Sequence, residues 1–216
     1  HLSMEAKRVK GALAAGVMDN ATIEMGGCFV KEPHMLKRGD AILFYTDGIE
    51  EAQRHFRDEN FRITTCKEEL GENELHGGTH NPGQKFEEFT NERIYEIVNA
   101  VFAGGRYRLQ KYHNPLGDEQ LEFDFSSCEG TIEDVVIALI SVEKIYRVYP
   151  DPGAGERDLI EVDTVINDFL KEHFLQYESY FEHEVPTEEG SQYIVFSHLR
   201  EDEQFDDLTI LGVHRK

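Results

Sequence analysis

Two short segments of this sequence carry acidic residues where an apolar strand meets a loop. Asp47 follows the apolar run 41–45 and precedes Gly48, while Asp206 stands just before a second apolar run that begins at Leu208. Carboxylate oxygens are ligands that suit Mg²⁺ and Mn²⁺. Because an acid at a strand end is also a common turn former, each segment alone has two interpretations, a turn or part of a metal site.

The elements that must position these acids are strands. The continuous apolar run 41–45 is typical of a strand buried on both faces, and a turn signal at 37–40 precedes it. Residues 192–196 and 208–213 predict two more strands near the end of the chain. Residues 11–35, which mix short apolar stretches with Gly and Asn, predict one or two short strands.

Helical spacing recurs in the middle of the chain. Apolar residues over 86–102 predict a helix that Gly104 ends, and those over 162–181 form one broad stripe and give the clearest helix prediction. A short helix is expected over 49–57. Periodicity alone leaves residues 133–142 open between a helix and a buried strand.

Alternating and loop-like segments complete the pattern. Residues 107–112 and 121–125 alternate with period two and predict a hairpin or two facing strands, and 145–149 alternate again. The Gly-rich stretch 68–85 predicts a surface loop. With no repeat and no regular βαβ alternation, the sequence predicts an α+β fold.

The charge of the chain limits its partners. It has 216 residues and a formal charge of −21, so nucleic acid and anionic membrane surfaces are not expected to bind. Three widely spaced cysteines without a C-x-x-C pattern indicate reduced thiols and a cytoplasmic location. No apolar run reaches the ~20 residues of a membrane span, so no membrane segment is expected.

Two strings of the sequence resemble a known family when they are taken together. The string 36–52, which contains Tyr45-Thr46-Asp47-Gly48, is similar to the late block of the PPM-type (protein phosphatase 2C-like) metal-dependent phosphatases, closest to the bacterial SpoIIE/RsbU branch. The string 205–211, which contains Asp206-Asp207-Leu208-Thr209, resembles the closing strand of that branch. Residues 88–94 resemble the helix that follows the first block.

The resemblance implies a fold and a chemistry. The fold would be part of a layered αββα β-sandwich, in which Asp47 and Asp206 bind the same Mn²⁺ or Mg²⁺ ion with Gly48, Asp207 and Thr209 as supporting residues. The implied reaction is hydrolysis of phosphoserine or phosphothreonine on a phosphorylated regulatory protein in bacterial signal transduction. A water activated between two metal ions performs the attack, so no side chain is expected to act as a covalent catalyst.

The sequence also departs from that family. The early blocks, an acidic Gly-Asp strand and an Asp-x-Ser-Gly-x-Gly turn that supply the bridging acid and the ligands of the second ion, are not found. Residues 1–216 are therefore expected to be the C-terminal portion of one SpoIIE-like domain, with insertions at about 54–85 and 104–160.

Two consequences of the missing blocks are expected. Two carboxylates alone hold one ion weakly, so little or no activity is expected from this chain by itself. Uncovered sheet edges or apolar surface would favour a homodimer. The alternative function is a non-catalytic, phosphatase-derived module that binds a signalling protein.

Other polar groupings give weaker signals. His76 and His80 have the spacing of metal ligands on a helix, but their Gly- and Pro-rich setting favours a loop. His173 and His183 are expected to face solvent. The basic and aromatic residues at 106–108 and 111–113 favour one face of a strand over a nucleic-acid platform. Glu50 and Glu51 either tune the metal site or begin a short helix, and the helix is preferred.

Overall fold

The computed structural model describes residues 35–66, 82–110, 120–151, 153, 160–180, 183–186, 192–196, 198–204 and 206–216. The chain divides into two compact units, one of residues 1–40 with 215–216 and one of residues 41–214. The predictions for 11–34, for His76 and His80, and for most of the loop 68–85 lie outside the described residues. So does the segment between the two facing strands, 111–119.

The described part of the first unit is a turn. The backbone N–H of Asp40 donates to the Lys37 carbonyl at 3.0 Å, and the Asp40 carboxylate accepts the Lys37 N–H at 2.7 Å. Gly39 has φ of +90°, a conformation that glycine adopts without a Cβ penalty. The turn predicted at 37–40 is confirmed.

The second unit mixes helices with short strands, which confirms the coarse α+β expectation. Its described strands are β1 Ala41–Tyr45, β2 Gln53–His55, β3 Phe86–Glu88, β4 Arg106–Gln110, β5 Gln120–Asp124, β6 Val148–Pro150, β7 Ile160–Val162, β8 His183–Pro186, β9 Gln192–Phe196, β10 Leu199–Glu201 and β11 Ile210–His214. Its described helices are α1 Asp47–Glu50, α2 Thr90–Ala103, α3 Ile132–Arg147, α4 Thr164–His173 and α5 Tyr177–Tyr180.

The strands pair in small antiparallel sheets. The pairs are β1 with β11, β2 with β3, β4 with β5 and β6 with β10, and β9 lies between β7 and β8. The two facing strands predicted around 107–112 and 121–125 are thus confirmed as β4 and β5. The strand prediction at 192–196 is confirmed as β9, and that at 208–213 corresponds to β11.

The first and last strands of the unit form a two-stranded ribbon, with Ala41 opposite His214 and Tyr45 opposite Ile210. One face of the ribbon packs on α3, where a β-carbon on Gly212 would lie 2.5 Å from Ile132 Cγ1. On the other face, Phe44 and Leu211 remain more than half exposed. The prediction that β1 is buried on both faces is therefore wrong, because among the described residues only one face has a covering helix.

Helix α2 begins later than predicted. Residues 86–88 form β3 with β2, so the helix begins at Thr90, and Gly104 ends it in the left-handed conformation with φ of +59°. The predicted stop is confirmed. The first three residues of the predicted helix form a strand because they pair with β2, where Phe86 lies opposite His55.

Helix α3 settles the open assignment of 133–142. Thr131 caps it by accepting the Asp134 N–H at 3.1 Å, and the Asp134 carboxylate accepts the Thr131 N–H at 3.0 Å. This reciprocal capping box is a strong helix start. The helix continues to Arg147, so the alternation over 145–149 yields a strand only from Val148.

The segment 162–181 forms two helices where one was predicted. Helix α4 ends at His173, and Phe174 then forms an isolated antiparallel bridge with Phe123 of β5. Leu175 N–H donates to the Glu122 carbonyl at 3.0 Å, and the rings of Phe123 and Phe174 stack at 5.0 Å. A continuous helix would lose these tertiary contacts, so the prediction was wrong at this point.

A buried ion network contacts the largest hydrophobic cluster of the unit at Tyr146. The Glu87 carboxylate pairs with the guanidinium groups of Arg54 and Arg93, and each of these three residues is at most 2% exposed. The Tyr146 hydroxyl donates to the Glu87 carbonyl at 2.9 Å, and the Arg54 guanidinium lies 4.3 Å from the Tyr146 ring centre. This network connects β2 and β3 to α2 and α3.

Among the described residues, no helix has the length and apolarity required to cross a membrane.

Candidate metal-binding site

The structure brings the two predicted acid segments together, although they are far apart in sequence. The Thr46 hydroxyl donates to the Asp207 carbonyl at 2.8 Å, across a separation of 161 residues. The same hydroxyl accepts the Thr209 N–H at 3.0 Å, and the Thr46 N–H donates to the Thr209 carbonyl at 3.1 Å. These bonds continue the pairing of β1 and β11 beyond the strand ends.

The two predicted ligands flank this contact. Asp47 follows Thr46 and occupies the first turn of α1, while Asp206 precedes Asp207. Both side chains are exposed, and Asp206 Oδ1 accepts the N–H of Asp207 at 2.8 Å. Asp47 is therefore next in sequence to Thr46, and Asp206 is next to Asp207. Thr46 and Asp207 are hydrogen-bonded to each other at one end of the β1–β11 ribbon.

Gly48 allows the close approach of the two segments. It is buried, and a β-carbon on it would lie 2.9 Å from the carbonyl carbon of Asp207 and 3.3 Å from the carbonyl oxygen of Asp206. Side chains do not tolerate such distances to backbone atoms. The close approach of the Asp207 backbone therefore requires a glycine after Asp47.

A polar chain connects the acid end of β1 to helix α2. The Tyr45 hydroxyl donates to Asn91 Oδ1 at 2.6 Å, and Asn91 Nδ2 donates to the Glu50 carboxylate. A short helix is present here, but Glu50 is its last residue and Glu51 follows it, so these two residues end the helix and do not begin it as predicted. Helix α1 covers only four residues, and β2 occupies part of the predicted helix 49–57. Sequence reasoning did not identify Asn91 as a supporting residue.

Carboxylates also accumulate near α1. Partial burial raises the pKa of Glu88, and the negative charges of Glu51 and then Glu50 raise it further. Like charges that are close to one another disfavour ionisation, and a cation bound nearby would reverse this effect. The electrostatic setting at this end of the ribbon is therefore acidic.

The oxygen atoms at this site are the ligand type that a hard cation prefers, but only two predicted carboxylate ligands are present. Asp47 and Asp206 offer carboxylate oxygens, and the carbonyls of Asp206 and Asp207 lie beside Gly48. Across the described residues, no group of three or more His, Cys, Asp or Glu side chains is arranged to hold a metal ion. Two carboxylates with retained waters correspond to weak binding of Mg²⁺ or Mn²⁺.

A buried carboxylate fixes the segment that leads to Asp206. Asp202 is 5% exposed, accepts the His55 N–H at 3.0 Å and pairs with the Arg57 guanidinium. The Asp202 backbone also binds Arg147, whose Nη1 donates to the Asp202 carbonyl at 2.8 Å. The chain is thereby held four residues before Asp206. Sequence reasoning missed this residue because its partners lie about 55 and 145 positions away.

Arg147 is itself held by acids at the end of α3. It pairs with Glu143 and with Glu201, and Lys144 Nζ lies 2.5 Å from the Glu201 carboxylate. Burial raises the pKa of the Glu143 carboxyl although Arg147 opposes the shift. These pairs connect α3 to β10, next to the segment that carries the predicted metal ligand.

An open groove of about 700 Å³ adjoins the acid segment. Asp206 and Asp207 border it, and its other walls come from residues 140–147 of α3 and residues 161–166 at the junction of β7 and α4. The metal-ligand prediction thus lies at the edge of a cleft whose size is typical of ligand sites.

The other polar predictions have different outcomes. His173 is buried, not solvent-facing as predicted: its Nδ1 lies 2.9 Å from the Asp124 carbonyl and its Nε2 lies 3.7 Å from Cys128 Sγ. Arg106 and Arg108 are exposed on β4 and pair with Glu122, which agrees with the strand-face interpretation. The side chain of His183 is outside the described residues.

Comparison with protein-family models, with curated proteins and with solved structures finds no match for this chain. The contact between Thr46 and Asp207 is the observation that connects the two strings in space.

Proposed function

We propose that this chain is the C-terminal portion of a metal-dependent protein serine/threonine phosphatase of the SpoIIE/RsbU type that acts in bacterial signal transduction. The single observation that carries the proposal is the pairing of the Thr46 and Asp207 segments, because it puts the two resembling strings at one end of one ribbon. A chance likeness of two strings 161 residues apart would not require them to meet in space.

In this proposal Asp47 and Asp206 hold one Mn²⁺ or Mg²⁺ ion. A second metal ion requires further acidic ligands in addition to these two residues. Two such ions, when bound, would lower the pKa of a bridging water and stabilise charge on the phosphoryl group of phosphoserine or phosphothreonine. Gly48, Asp207 and Thr209 maintain the spacing of the two acids. The layered αββα sandwich, with insertions at about 54–85 and 104–160, is part of the same proposal.

A specific observation also favours a second candidate, a non-catalytic module that binds a signalling protein. Among the described residues, no group of three or more His, Cys, Asp or Glu side chains at the ribbon end or elsewhere is arranged to hold a metal ion. The groove beside Asp206 offers a binding surface that needs no metal ion.

The test of catalysis uses the longest protein that the gene encodes. We expect Mn²⁺-stimulated release of phosphate from a phosphoserine peptide, and loss of most of that activity in Asp47→Asn and in Asp206→Asn. Asp168→Asn, which removes an exposed carboxylate from α4, is the matched control and should keep full activity. Equal activity in all three variants would exclude Asp47 and Asp206 as metal ligands.

A second measurement concerns the chain by itself. Because two carboxylates form an incomplete site, calorimetric titration with Mn²⁺ should give weak binding, with a dissociation constant of about 10⁻⁴ M or higher. Submicromolar binding would show that the chain completes a metal site alone. It would contradict the expectation that the site in this chain is incomplete.

A further inference from the structure

Four of the residues that line the groove beside Asp206 are apolar, and together they are called its floor here, although the buried Glu143 and Arg147 line the groove as well. Ile140 of α3, Val162 at the end of β7, Ile166 of α4 and Leu208 line it. Val162 is 3% exposed, whereas the other three are partly accessible. An accessible apolar floor favours ligands that bring apolar side chains of their own.

The rim of the groove is acidic. Glu161, Asp163, Asp206 and Asp207 line it, and all four side chains are exposed. Asp163 Oδ1 accepts the Val165 N–H at 2.8 Å and caps α4, which fixes the direction of that carboxylate. The rim therefore presents several negative charges above an apolar surface.

The two basic residues in the groove do not neutralise this rim. Lys144 pairs with Glu201, and Arg147, which is 4% exposed, pairs with Glu143 and Glu201. Their charges are thus already matched by acids that do not belong to the four rim carboxylates. Among the described lining residues, the rim carboxylates have no basic partner within ion-pair distance.

We propose that this groove binds a peptide segment that combines Lys or Arg with large apolar side chains. The apolar side chains would contact the floor while the cations approach the rim, an arrangement in which charge complementarity adds to burial of apolar area. The formal charge of −21 on the chain would increase the rate of encounter with such a segment.

The inference also names a substrate class, and this step rests on the proposed phosphatase function. Asp206 borders the groove, so a bound basic segment would place a neighbouring phosphoserine beside a predicted metal ligand. The basic-apolar segment would then flank the phosphorylated residue of the regulatory protein. Peptide binding itself needs neither metal nor catalysis.

The test is fluorescence anisotropy with a labelled short peptide that alternates Arg or Lys with Leu, in buffer that contains EDTA. Saturable binding is expected, and raising the salt concentration should weaken it. A peptide with Glu in place of every basic residue should not bind, and one with Ser in place of every Leu should bind less tightly. If either control peptide bound as tightly as the peptide with both basic residues and Leu, the proposal would be overturned.

Variants of the rim locate the binding site. Glu161→Gln combined with Asp163→Asn removes two rim charges while Asn preserves the helix cap. Binding should weaken about five- to tenfold, as expected for two partly screened ion pairs. The matched control, Glu59→Gln combined with Glu178→Gln, removes two exposed charges outside the groove and should bind as the wild type does. If peptide binding weakened equally in the rim variant and in the control variant, the effect would be one of net charge alone, and the proposal would be wrong.

The floor is tested with a pair of neighbouring residues. Ile166→Ala removes apolar area from the groove, whereas Val165→Ala alters an exposed valine of the same helix that does not line it. Only the first should weaken binding of the Leu-containing peptide, and it should not change binding of the Ser-containing one. If the peptide binds in EDTA but the longest encoded protein shows no Mn²⁺-dependent phosphatase activity, the groove assignment stands and the phosphatase proposal fails. If the longest encoded protein shows Mn²⁺-dependent phosphatase activity but the peptide does not bind, the phosphatase proposal stands and the groove assignment fails.

Discussion

Gly48 lies so close to the backbone of Asp207 that a β-carbon on the glycine would be 2.6 Å from the Asp207 carbonyl oxygen. The partner is a backbone atom, so it cannot rotate away as the end of a side chain would. Gly48→Ala should consequently lower the free energy of unfolding by about 1–3 kcal/mol, as overpacked substitutions do, and should weaken Mn²⁺ binding. Urea denaturation and metal titration measure the two effects.

Gly105→Ala is the control for that substitution. A β-carbon on Gly105 would meet only the Ala100 backbone, at 3.7 Å or more, which is ordinary van der Waals contact. Its unfolding midpoint should stay close to that of the wild type. If the two alanine variants were equally stable, the proximity of Gly48 to Asp207 would have no energetic meaning.

The Thr46 hydroxyl joins the two acid segments both as donor and as acceptor. Thr46→Val keeps the shape of the side chain but leaves the Asp207 carbonyl and the Thr209 N–H without this partner. We expect a loss of about 1–2 kcal/mol in stability, partly offset by hydration because the site is exposed. Thr46→Ser retains the hydroxyl and should recover most of the loss. Thermal unfolding of the three proteins measures these differences, and a valine variant as stable as the wild type would contradict a stabilising role of the Thr46 hydroxyl.

The buried ion network should be sensitive to loss of its only carboxylate among the described members. Glu87→Gln would leave Arg54 and Arg93 charged in the interior, and breaking a buried pair typically costs about 3–5 kcal/mol. Glu122→Gln removes a carboxylate whose partners, Arg106 and Arg108, are more than half exposed, and should cost less than about 1 kcal/mol. Denaturant titration of both variants gives the comparison. If Glu87→Gln lowered the free energy of unfolding as little as Glu122→Gln does, the protein interior would accommodate unpaired Arg54 and Arg93, contrary to this prediction.

Cys128 should be a slow nucleophile in the folded protein. Burial, followed by the nearby charges of Asp134 and Glu172, raises the pKa of its thiol to about 11. Only about a thousandth of it would be thiolate at pH 8, so alkylation by iodoacetamide should be much slower than in urea. Peptide-resolved mass spectrometry distinguishes Cys128 from the other two cysteines.

The same shift has a consequence for stability. A thiol whose pKa is raised on folding stabilises the fold fully below its unfolded pKa, and the contribution is lost as the pH rises through the folded value of about 11. Replacement by serine should therefore flatten the decline of stability at alkaline pH. Alkylation of folded Cys128 at the rate seen in urea would contradict the raised pKa.

The sequence predicts well the features that depend on local chemistry. The Gly104 helix stop, the turn at 37–40 and the paired strands β4 and β5 follow from nearby residues, and the structure confirms them. Features decided by distant contacts were not predictable in this way. The helix break at Phe174 depends on Phe123, and the burial of His173 depends on the Asp124 carbonyl.

The candidate site shows the same division. The acids at positions 47 and 206 could be identified as a pair because their strings are informative together. The supporting contacts through Asn91 and Asp202 could not, because a single asparagine or aspartate has no spacing signal that indicates partners about 40 to 150 residues away. Long-range polar contacts of this kind become visible only once the chain is folded.

The pairing of Ala41 with His214 puts the first and last residues of the larger unit next to each other. A unit whose ends are adjacent can be circularly permuted by itself, with a short linker that joins the old ends and new ends elsewhere. In such a permutant β11 would lead directly into β1 as a local hairpin. The acid pair would then assemble from near neighbours, and loop closure over the whole unit would no longer limit how fast that end of the ribbon forms.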